Sequence, residues 1–125
     1  MIKILVIDDE ESICWITKKM LEDLGKYRVV FATSGKSGLK AAKSESPDLI
    51  LLDIEMDDMS GLDVLKVLRK KKKTKEIPVI MVTGVDAPEA MEEASYDYAE
   101  QYLLKPIKVE ELDEAIERSL SYQQR

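Results

Sequence analysis

Short apolar runs alternate along the chain with longer segments in which apolar residues recur every three or four positions. The runs are rich in Val, Ile and Leu and nearly continuous, which is typical of strands buried on both faces of a parallel sheet. The longer segments have the period of amphipathic helices. Five strands are therefore predicted, at Ile2–Ile7, Tyr27–Ala32, Leu49–Leu52, Val79–Val82 and Gln101–Leu104.

A helix is predicted after each strand. The first ends near Gly25, a residue typical of C-terminal caps, and the second is capped by Thr33 or Ser34 and ends before Pro47. The fourth begins at Pro88. The apolar stripes are Ile13, Ile16, Thr17, Met20, Leu21 and Leu24 in the first helix, Leu62, Leu65 and Leu68 in the third, and Leu112, Ala115, Ile116 and Leu120 in the fifth. Five βα units predict an α/β domain with a doubly wound parallel sheet.

The composition fits one globular domain. The chain has 125 residues, of which 45% are hydrophobic and 35% charged, a balance that excludes a disordered chain. Its apolar runs are too short to cross a bilayer or to form a signal peptide. The single cysteine, Cys14, excludes an internal disulfide, so a reducing cytoplasm is expected.

Two features of the composition exclude classes of function. The chain contains no histidine, which rules out a catalytic triad or an imidazole base. Its net charge is −6, which disfavours direct binding of nucleic acid. The run of six basic residues in Arg69–Lys75 is interpreted as a solvated end of the third helix, with docking of acidic groups or nucleic acid as the alternative.

Polar residues stand at the carboxyl ends of four predicted strands. Asp8 and Asp9 follow the first, Asp53 the third, Thr83 the fourth and Lys105 the fifth. In doubly wound sheets, the functional site lies outside these ends, so the five side chains are expected to converge. Clustered carboxylates favour a hard cation such as Mg²⁺, and a lysine and a hydroxyl suit a phosphoryl group. An aspartate can itself be the nucleophile.

These residues occur in motifs that resemble the receiver domain of two-component response regulators, in particular the chemotaxis-type single-domain regulators. The motifs are Ile-Asp-Asp-Glu at 7–10, Leu-Leu-Asp-Ile-Glu-Met at 51–56 followed by Gly61, Met-Val-Thr-Gly at 81–84 and Leu-Leu-Lys-Pro at 103–106. The resemblance covers residues 2–120. It implies a flavodoxin-like fold with strand order 2-1-3-4-5 and five helices, and a single receiver domain over residues 1–125.

The resemblance also implies a role for each site residue. Asp53 would accept a phosphoryl group from a phosphohistidine. Asp9, Asp53 and the backbone carbonyl of Glu55 would hold Mg²⁺, and Asp8 would act through water. Thr83 and Lys105 would contact phosphoryl oxygens, with Thr83 and Tyr102 as the conformational switch. The Lys105–Pro106 peptide bond is expected to be cis.

The expected partners follow from the same resemblance. A sensor histidine kinase or histidine phosphotransfer protein would supply the phosphoryl group, and a downstream protein would read the face formed by the fourth helix, fifth strand and fifth helix. Trp15, with Ile16 and Cys14 beside it, is the candidate docking site for the phosphoryl donor. No nucleic acid or membrane partner is expected, and a homodimer is left open.

The expected function is a phosphorylation-controlled switch, not an enzyme for a separate substrate, and two alternative functions stand beside it. The first alternative is a Mg²⁺-dependent phosphatase with an aspartyl-phosphate intermediate. Phosphatases of this kind carry an Asp-x-Asp motif after the first strand, whereas here Asp8 and Asp9 are adjacent. An unphosphorylated interaction module would have lost a site residue. One departure from the receiver pattern is Asp57, which replaces a usual proline and makes the loop with Glu55 and Asp58 acidic.

Overall fold

The structure is a computed structural model that describes residues 1–84 and 101–123. Its strands are β1 (Ile2–Ile7), β2 (Tyr27–Ala32), β3 (Leu49–Asp53), β4 (Val79–Thr83) and β5 (Gln101–Leu104). Its helices are α1 (Glu11–Glu22), α2 (Gly35–Glu45), α3 (Gly61–Lys70) and the C-terminal helix (Val109–Gln123). The helix predicted to begin at Pro88 lies outside the described residues.

The five strands form one parallel sheet in the order β2-β1-β3-β4-β5. The predicted doubly wound topology is therefore confirmed. Two strands run one residue further than predicted, to Asp53 in β3 and Thr83 in β4. Asp53 is paired in register with Val82, and Thr83 with Leu104. These pairings place both polar residues within the sheet at its carboxyl edge.

The hydrophobic core lies on both faces of the sheet. Alternate residues of β1 point to opposite sides, Ile4 and Val6 into one cluster and Leu5 and Ile7 into the other. The first cluster, with Ile4 and Val6, also contains residues of α1 and the C-terminal helix, and the second contains residues of α2 and α3. This double burial is why the strands read as continuous apolar runs.

Local signals fix the ends of the helices. Ser34 caps α2, and it forms a reciprocal capping box with Ser37 whose backbone N–H donates to Ser34 Oγ at 3.0 Å. Gly25 follows α1 with φ +81°, a left-handed conformation that favours glycine. Its N–H donates to the Glu22 carbonyl at 3.0 Å, which closes the end of the helix.

The buried side of α1 differs from the predicted stripe. Cys14 and Leu21 are fully buried, whereas Ile16 and Leu24 are 54% and 41% exposed. Cys14 and Leu21 are seven residues apart, two helical turns, and so lie on the same line along the helix. The helix is therefore rotated toward Cys14, and Ile16 and Leu24 lie outside the sheet-facing side.

Candidate functional site

The carboxyl edge of the sheet brings four of the predicted site residues together. Asp53 and Thr83 end β3 and β4, while Asp8 and Lys105 directly follow β1 and β5. Backbone hydrogen bonds extend the sheet past the strands: the Asp8 N–H donates to the Ala32 carbonyl at 3.2 Å and the Lys105 N–H to the Thr83 carbonyl at 2.8 Å. The backbone of the site is thus an extension of the rigid sheet.

A single ammonium group bridges two buried carboxylates. Lys105 Nζ lies 3.2 Å from Asp8 Oδ2 and 3.3 Å from Asp53 Oδ1. Both aspartates are only 4% exposed, and Thr83 is fully buried. Two buried negative charges so close together are costly unless a cation neutralises them. Lys105 provides that cation.

Burial and charge perturb the ionisation of the site. Burial first, and the charge of Asp8 second, raise the pKa of Asp53 to about 6, against the opposing effects of Lys105 and a hydrogen bond from the Glu55 backbone. Burial alone would lower the pKa of Lys105, but the charges of Asp53 and Asp8 outweigh it and raise the pKa. The lysine therefore remains charged, and Asp53 holds its proton more tightly than an ordinary aspartate.

A third carboxylate completes a set that fits a divalent cation. One oxygen each of Asp8, Asp9 and Asp53 lies within 4.8 Å of the others. Carboxylate oxygens in this number are ligands that Mg²⁺ accepts, with water filling its remaining positions. The Glu55 backbone makes a hydrogen bond to Asp53, and Glu55 lines a surface depression together with Asp9. The donor chemistry fits Mg²⁺.

Gly61 allows the loop after β3 to return close to the site. A Cβ atom at this position would lie 2.1 Å from the Asp53 carbonyl oxygen and 2.8 Å from the Ile54 Cα. The Gly61 N–H instead donates to the Ile54 carbonyl at 2.8 Å, which no larger residue could do without displacing backbone. The Lys105–Pro106 peptide bond is cis, as the resemblance implies.

The two proposed switch residues lie on adjacent strands, Thr83 in β4 and Tyr102 in β5. Thr83 Oγ1 donates to the Gly84 carbonyl at 3.2 Å. Tyr102 is half-buried in β5 and packs against the second cluster, on the α2–α3 side of the sheet. Thr83 thus lies at the carboxyl end of β4 and Tyr102 within the neighbouring strand β5.

The predicted docking residues on α1 separate into two groups. Trp15 is 55% exposed and Ile16 is 54% exposed. The Trp15 ring packs edge-on against Phe31, with centroids 5.1 Å apart and an interplanar angle of 75°. A large aromatic is thus held against β2 on the exposed surface of α1.

Cys14 cannot be part of that docking surface, because it is fully buried in the first cluster. Its Sγ donates to the Asp8 carbonyl at 3.3 Å. Burial, and then the charge of Asp8, raise the pKa of the thiol to about 12. Cys14 therefore supports the backbone of Asp8 as an inert thiol, a role that its place in the sequence does not indicate.

Comparison with known proteins assigns the fold and site to a class. Residues 4–117 match the family model of the response regulator receiver domain. The chain belongs to this family, the phosphoacceptor switch domain of two-component signalling systems.

Individual relatives agree. The chain is 36% identical over 118 residues to the alkaline phosphatase synthesis transcriptional regulatory protein PhoP of Bacillus subtilis, covering 94% of this chain and 48% of that protein. It is 35% identical over 121 residues to the transcriptional regulatory protein ZraR of Escherichia coli, covering 97% and 27%. A CheY-like receiver domain structure from Methanospirillum hungatei superposes with a TM-score of 0.90 at 31% identity, covering 99% and 97%. The chain thus spans between a quarter and a half of the length of these two regulators.

No helix in residues 1–84 and 101–123 is both long and apolar enough to span a membrane.

Proposed function

We propose that Asp53 is the residue that accepts the phosphoryl group, within a single receiver domain that extends over residues 1–125. The observation that carries this proposal is the contact of Lys105 Nζ with Asp53 Oδ1 at 3.3 Å, in a pocket where Asp53 is 4% exposed. Among residues 1–84 and 101–123, Asp53 is the carboxylate that both ends a strand and contacts Lys105, a cation that can hold phosphoryl oxygens.

In the proposed transfer an Asp53 oxygen attacks phosphorus, a new O–P bond forms, and the bond between phosphorus and the donor's leaving atom breaks with its electron pair remaining on the donor. Lys105 stabilises the charge on the phosphoryl oxygens, and the Thr83 hydroxyl donates a hydrogen bond to one of them. Asp9, Asp53 and the Glu55 carbonyl would hold Mg²⁺, with Asp8 acting through water, and the bound ion would supply further charge neutralisation. The same residues would assist hydrolysis of the aspartyl phosphate.

Mass spectrometry tests the assignment. In Mg²⁺ and a small phosphodonor such as acetyl phosphate, the wild-type chain should gain one phosphoryl group. Asp53→Ala should gain none, because the nucleophile is gone, while Asp63→Ala, which alters an exposed aspartate on α3, should label normally. Equal labelling of Asp53→Ala would show that another residue is the acceptor.

The proposed phosphoryl donor is a sensor histidine kinase or histidine phosphotransfer protein that docks on α1. Trp15 and Ile16 are exposed on α1, the helix that follows Asp8 and Asp9, and tryptophan is enriched among residues that dominate binding energy. The output would pass through Thr83 and Tyr102 to the surface of β5 and the C-terminal helix, together with the predicted fourth helix that lies outside the described residues. The free thiol of Cys14 fits the reducing cytoplasm expected for this exchange.

Kinetics of phosphotransfer separate docking from chemistry. Trp15→Ala should slow transfer from the cognate kinase at least about tenfold, on the order of 1.4 kcal/mol, and leave labelling by acetyl phosphate unchanged. Leu24→Ala is a matched control, because Leu24 follows the same helix and is 41% exposed. If Trp15→Ala and Leu24→Ala transfer at the wild-type rate, α1 is not the docking surface.

A further inference from the structure

The loop between β3 and α3, residues 54–60, holds three acidic residues beside a site that already has three carboxylates. Glu55, Asp57 and Asp58 would be expected to add repulsion to that site. Two of them instead make specific hydrogen bonds. This segment, the acidic loop, is hydrogen-bonded to the start of α2 on one side and to Asp9 on the other.

Asp58 fastens the acidic loop to α2. Its two carboxylate oxygens accept the backbone N–H groups of Gly35 at 2.9 Å and Lys36 at 3.0 Å. These N–H groups belong to the first turn of α2, where the helix dipole favours a negative charge. The same two bonds lower the pKa of Asp58. The charge of Asp58 is therefore taken up by the start of α2 and not left facing the site.

Asp57 contacts the site through its backbone. Its N–H donates to Asp9 Oδ2 at 2.9 Å. Asp9 is half-exposed and directly follows Asp8, so this bond from the acidic loop restrains a carboxylate that is less enclosed than its neighbours. A carboxylate has two oxygens, and the bond to Oδ2 leaves Oδ1 for a cation. A proline at position 57 would have no N–H and could not make this bond.

We propose that the acidic loop is a positioning device for Asp9: Asp58 fixes the loop on α2, and the Asp57 N–H orients the Asp9 carboxylate within the acidic cluster. Groups that hydrogen-bond a metal ligand fix its orientation and strengthen metal binding. The consequence for Mg²⁺ rests on the metal role given above to Asp9, whereas the contact between Asp57 and Asp9 does not. Asp57 and Asp58 thus act as positioning residues.

Two substitutions at position 57 isolate the backbone donor. Asp57→Ala removes the side chain and its charge but keeps the N–H, whereas Asp57→Pro removes both. Calorimetric titration with Mg²⁺ should give an affinity for Asp57→Pro about tenfold weaker than for Asp57→Ala. Melting in EDTA checks that both variants fold. Equal Mg²⁺ affinities of the two folded variants would overturn the proposal.

Asp58→Ala provides a second test if the proline variant does not fold. It removes one negative charge, as Asp57→Ala does at the adjacent position. A loss of Mg²⁺ affinity larger than in Asp57→Ala would therefore come from release of the acidic loop from α2. The proposal expects a severalfold larger loss, and an equal loss contradicts it.

Amide exchange tests the contact without metal. In EDTA the residue 57 amide should exchange slowly, and at least about tenfold faster in Asp9→Ala, because the protecting bond is lost. Fast exchange in the wild type would overturn the positioning role. If the amide is protected but the wild type takes up no Mg²⁺, the proposed metal site is wrong while the contact between Asp57 and Asp9 is retained.

Discussion

Two clusters of charge lie at opposite ends of the sheet and differ in what surrounds them. At the carboxyl ends of the strands, Asp8 and Asp53 are buried and share one ammonium group. The basic run Arg69–Lys75 lies at the end of α3 and in the turn before β4, at the amino end of that strand. Its lysines, Lys70–Lys73 and Lys75, are all exposed. The first cluster is held by protein groups and the second is open to solvent.

Arg69 and Thr74, the two residues of the basic run that are not lysines, make the hydrogen bonds that stabilise its conformation. Thr74 is 3% exposed, and its Oγ1 donates to the Leu68 carbonyl at 2.7 Å. Arg69 donates to the Ile77 carbonyl at 2.7 Å and the Lys75 carbonyl at 3.2 Å. The hydrogen bonds of Arg69 and Thr74 thus stabilise the turn, and the lysines lie exposed on it, in agreement with the predicted solvated surface. Burial and hydrogen-bonding or ionic partners, and not charge density, therefore decide where a charge has a large effect on stability.

The largest effect is expected for Asp53→Asn, measured as the free energy of unfolding in EDTA. The pKa of Asp53 is about 6 in the folded chain, against 3.8 as its ordinary value. Well below pH 3.8 both states are protonated and the carboxylate costs almost nothing. As the pH rises to about 6 the unfolded chain loses the proton first, so the native state loses stability. The variant should therefore be more stable than the wild type by about 2–3 kcal/mol at pH 7.

Urea denaturation at pH 3.5 and pH 7 measures this difference. The gain in Asp53→Asn should largely disappear at the lower pH. Glu76→Gln is the control from the other region, because Glu76 is exposed beside the basic run and should change stability by less than about 0.5 kcal/mol at either pH. A gain in Asp53→Asn that does not depend on pH would mean that the carboxylate is not strained by burial.

A smaller effect, of opposite sign, is expected when the site loses its lysine. Lys105→Ala leaves Asp8 and Asp53 without their shared cation, and removing one partner of a buried pair is destabilising. Because Lys105 is partly exposed and Asp53 can take up a proton, we expect a loss of about 2 kcal/mol in EDTA at pH 7. Millimolar Mg²⁺ should recover part of it.

Lys72→Ala is the matched change in the basic run, and we expect it to cost less than about 0.5 kcal/mol. Denaturation midpoints of the two lysine variants in the same buffer give the comparison directly. Similar losses in both would remove the distinction between the two regions.

The sequence predicts most of the fold because the information is local. Continuous apolar runs mark strands buried on two faces, and the residue after each run marks the carboxyl edge where Asp8, Asp53, Thr83 and Lys105 converge. The rotation of α1 was not predictable in this way, since Ile16 is as apolar as the residues that face the sheet. Cys14 is buried because of the way α1 packs on the sheet, and not because its side chain is more apolar than that of Ile16.

The supporting contacts of the site could not be predicted, because they join distant positions through side-chain geometry. Asp58 reaches a residue 23 positions away, and the Asp57 N–H reaches one 48 positions away. The acidic character of the loop was visible in the sequence as extra negative charge. The folded path of the chain decides what these residues do. Asp58 caps α2 with its side chain, whereas Asp57 acts through its backbone N–H.

A loss of about 1 kcal/mol is expected when the Thr74 hydroxyl, which stabilises the turn of the basic run, is removed. Thr74→Val keeps nearly the same volume but removes the hydroxyl that donates to the Leu68 carbonyl. The carbonyl near the end of α3 then loses a partner in a buried position, which should cost about 1 kcal/mol. Thermal melting against Lys73→Ala measures it, because position 73 is adjacent and exposed. A smaller loss in Thr74→Val than in Lys73→Ala would mean that the lysines, and not Thr74, hold the turn.

The smallest effect is expected when three lysines of the basic run, Lys71, Lys72 and Lys73, are replaced by alanine together. The like charges repel one another, whereas the C-terminal end of α3 attracts cations, so the two effects oppose each other. Since all three side chains are exposed, the change in unfolding free energy should stay below about 0.5 kcal/mol at 0.15 M salt. It should vanish at 1 M salt, where the Debye length is about 3 Å. The same increase in salt should leave the loss in Lys105→Ala largely intact, because buried pairs are screened much less. If instead the triple variant lost more than 1 kcal/mol and kept that loss at high salt, its lysines would be engaged in contacts as specific as those of the site.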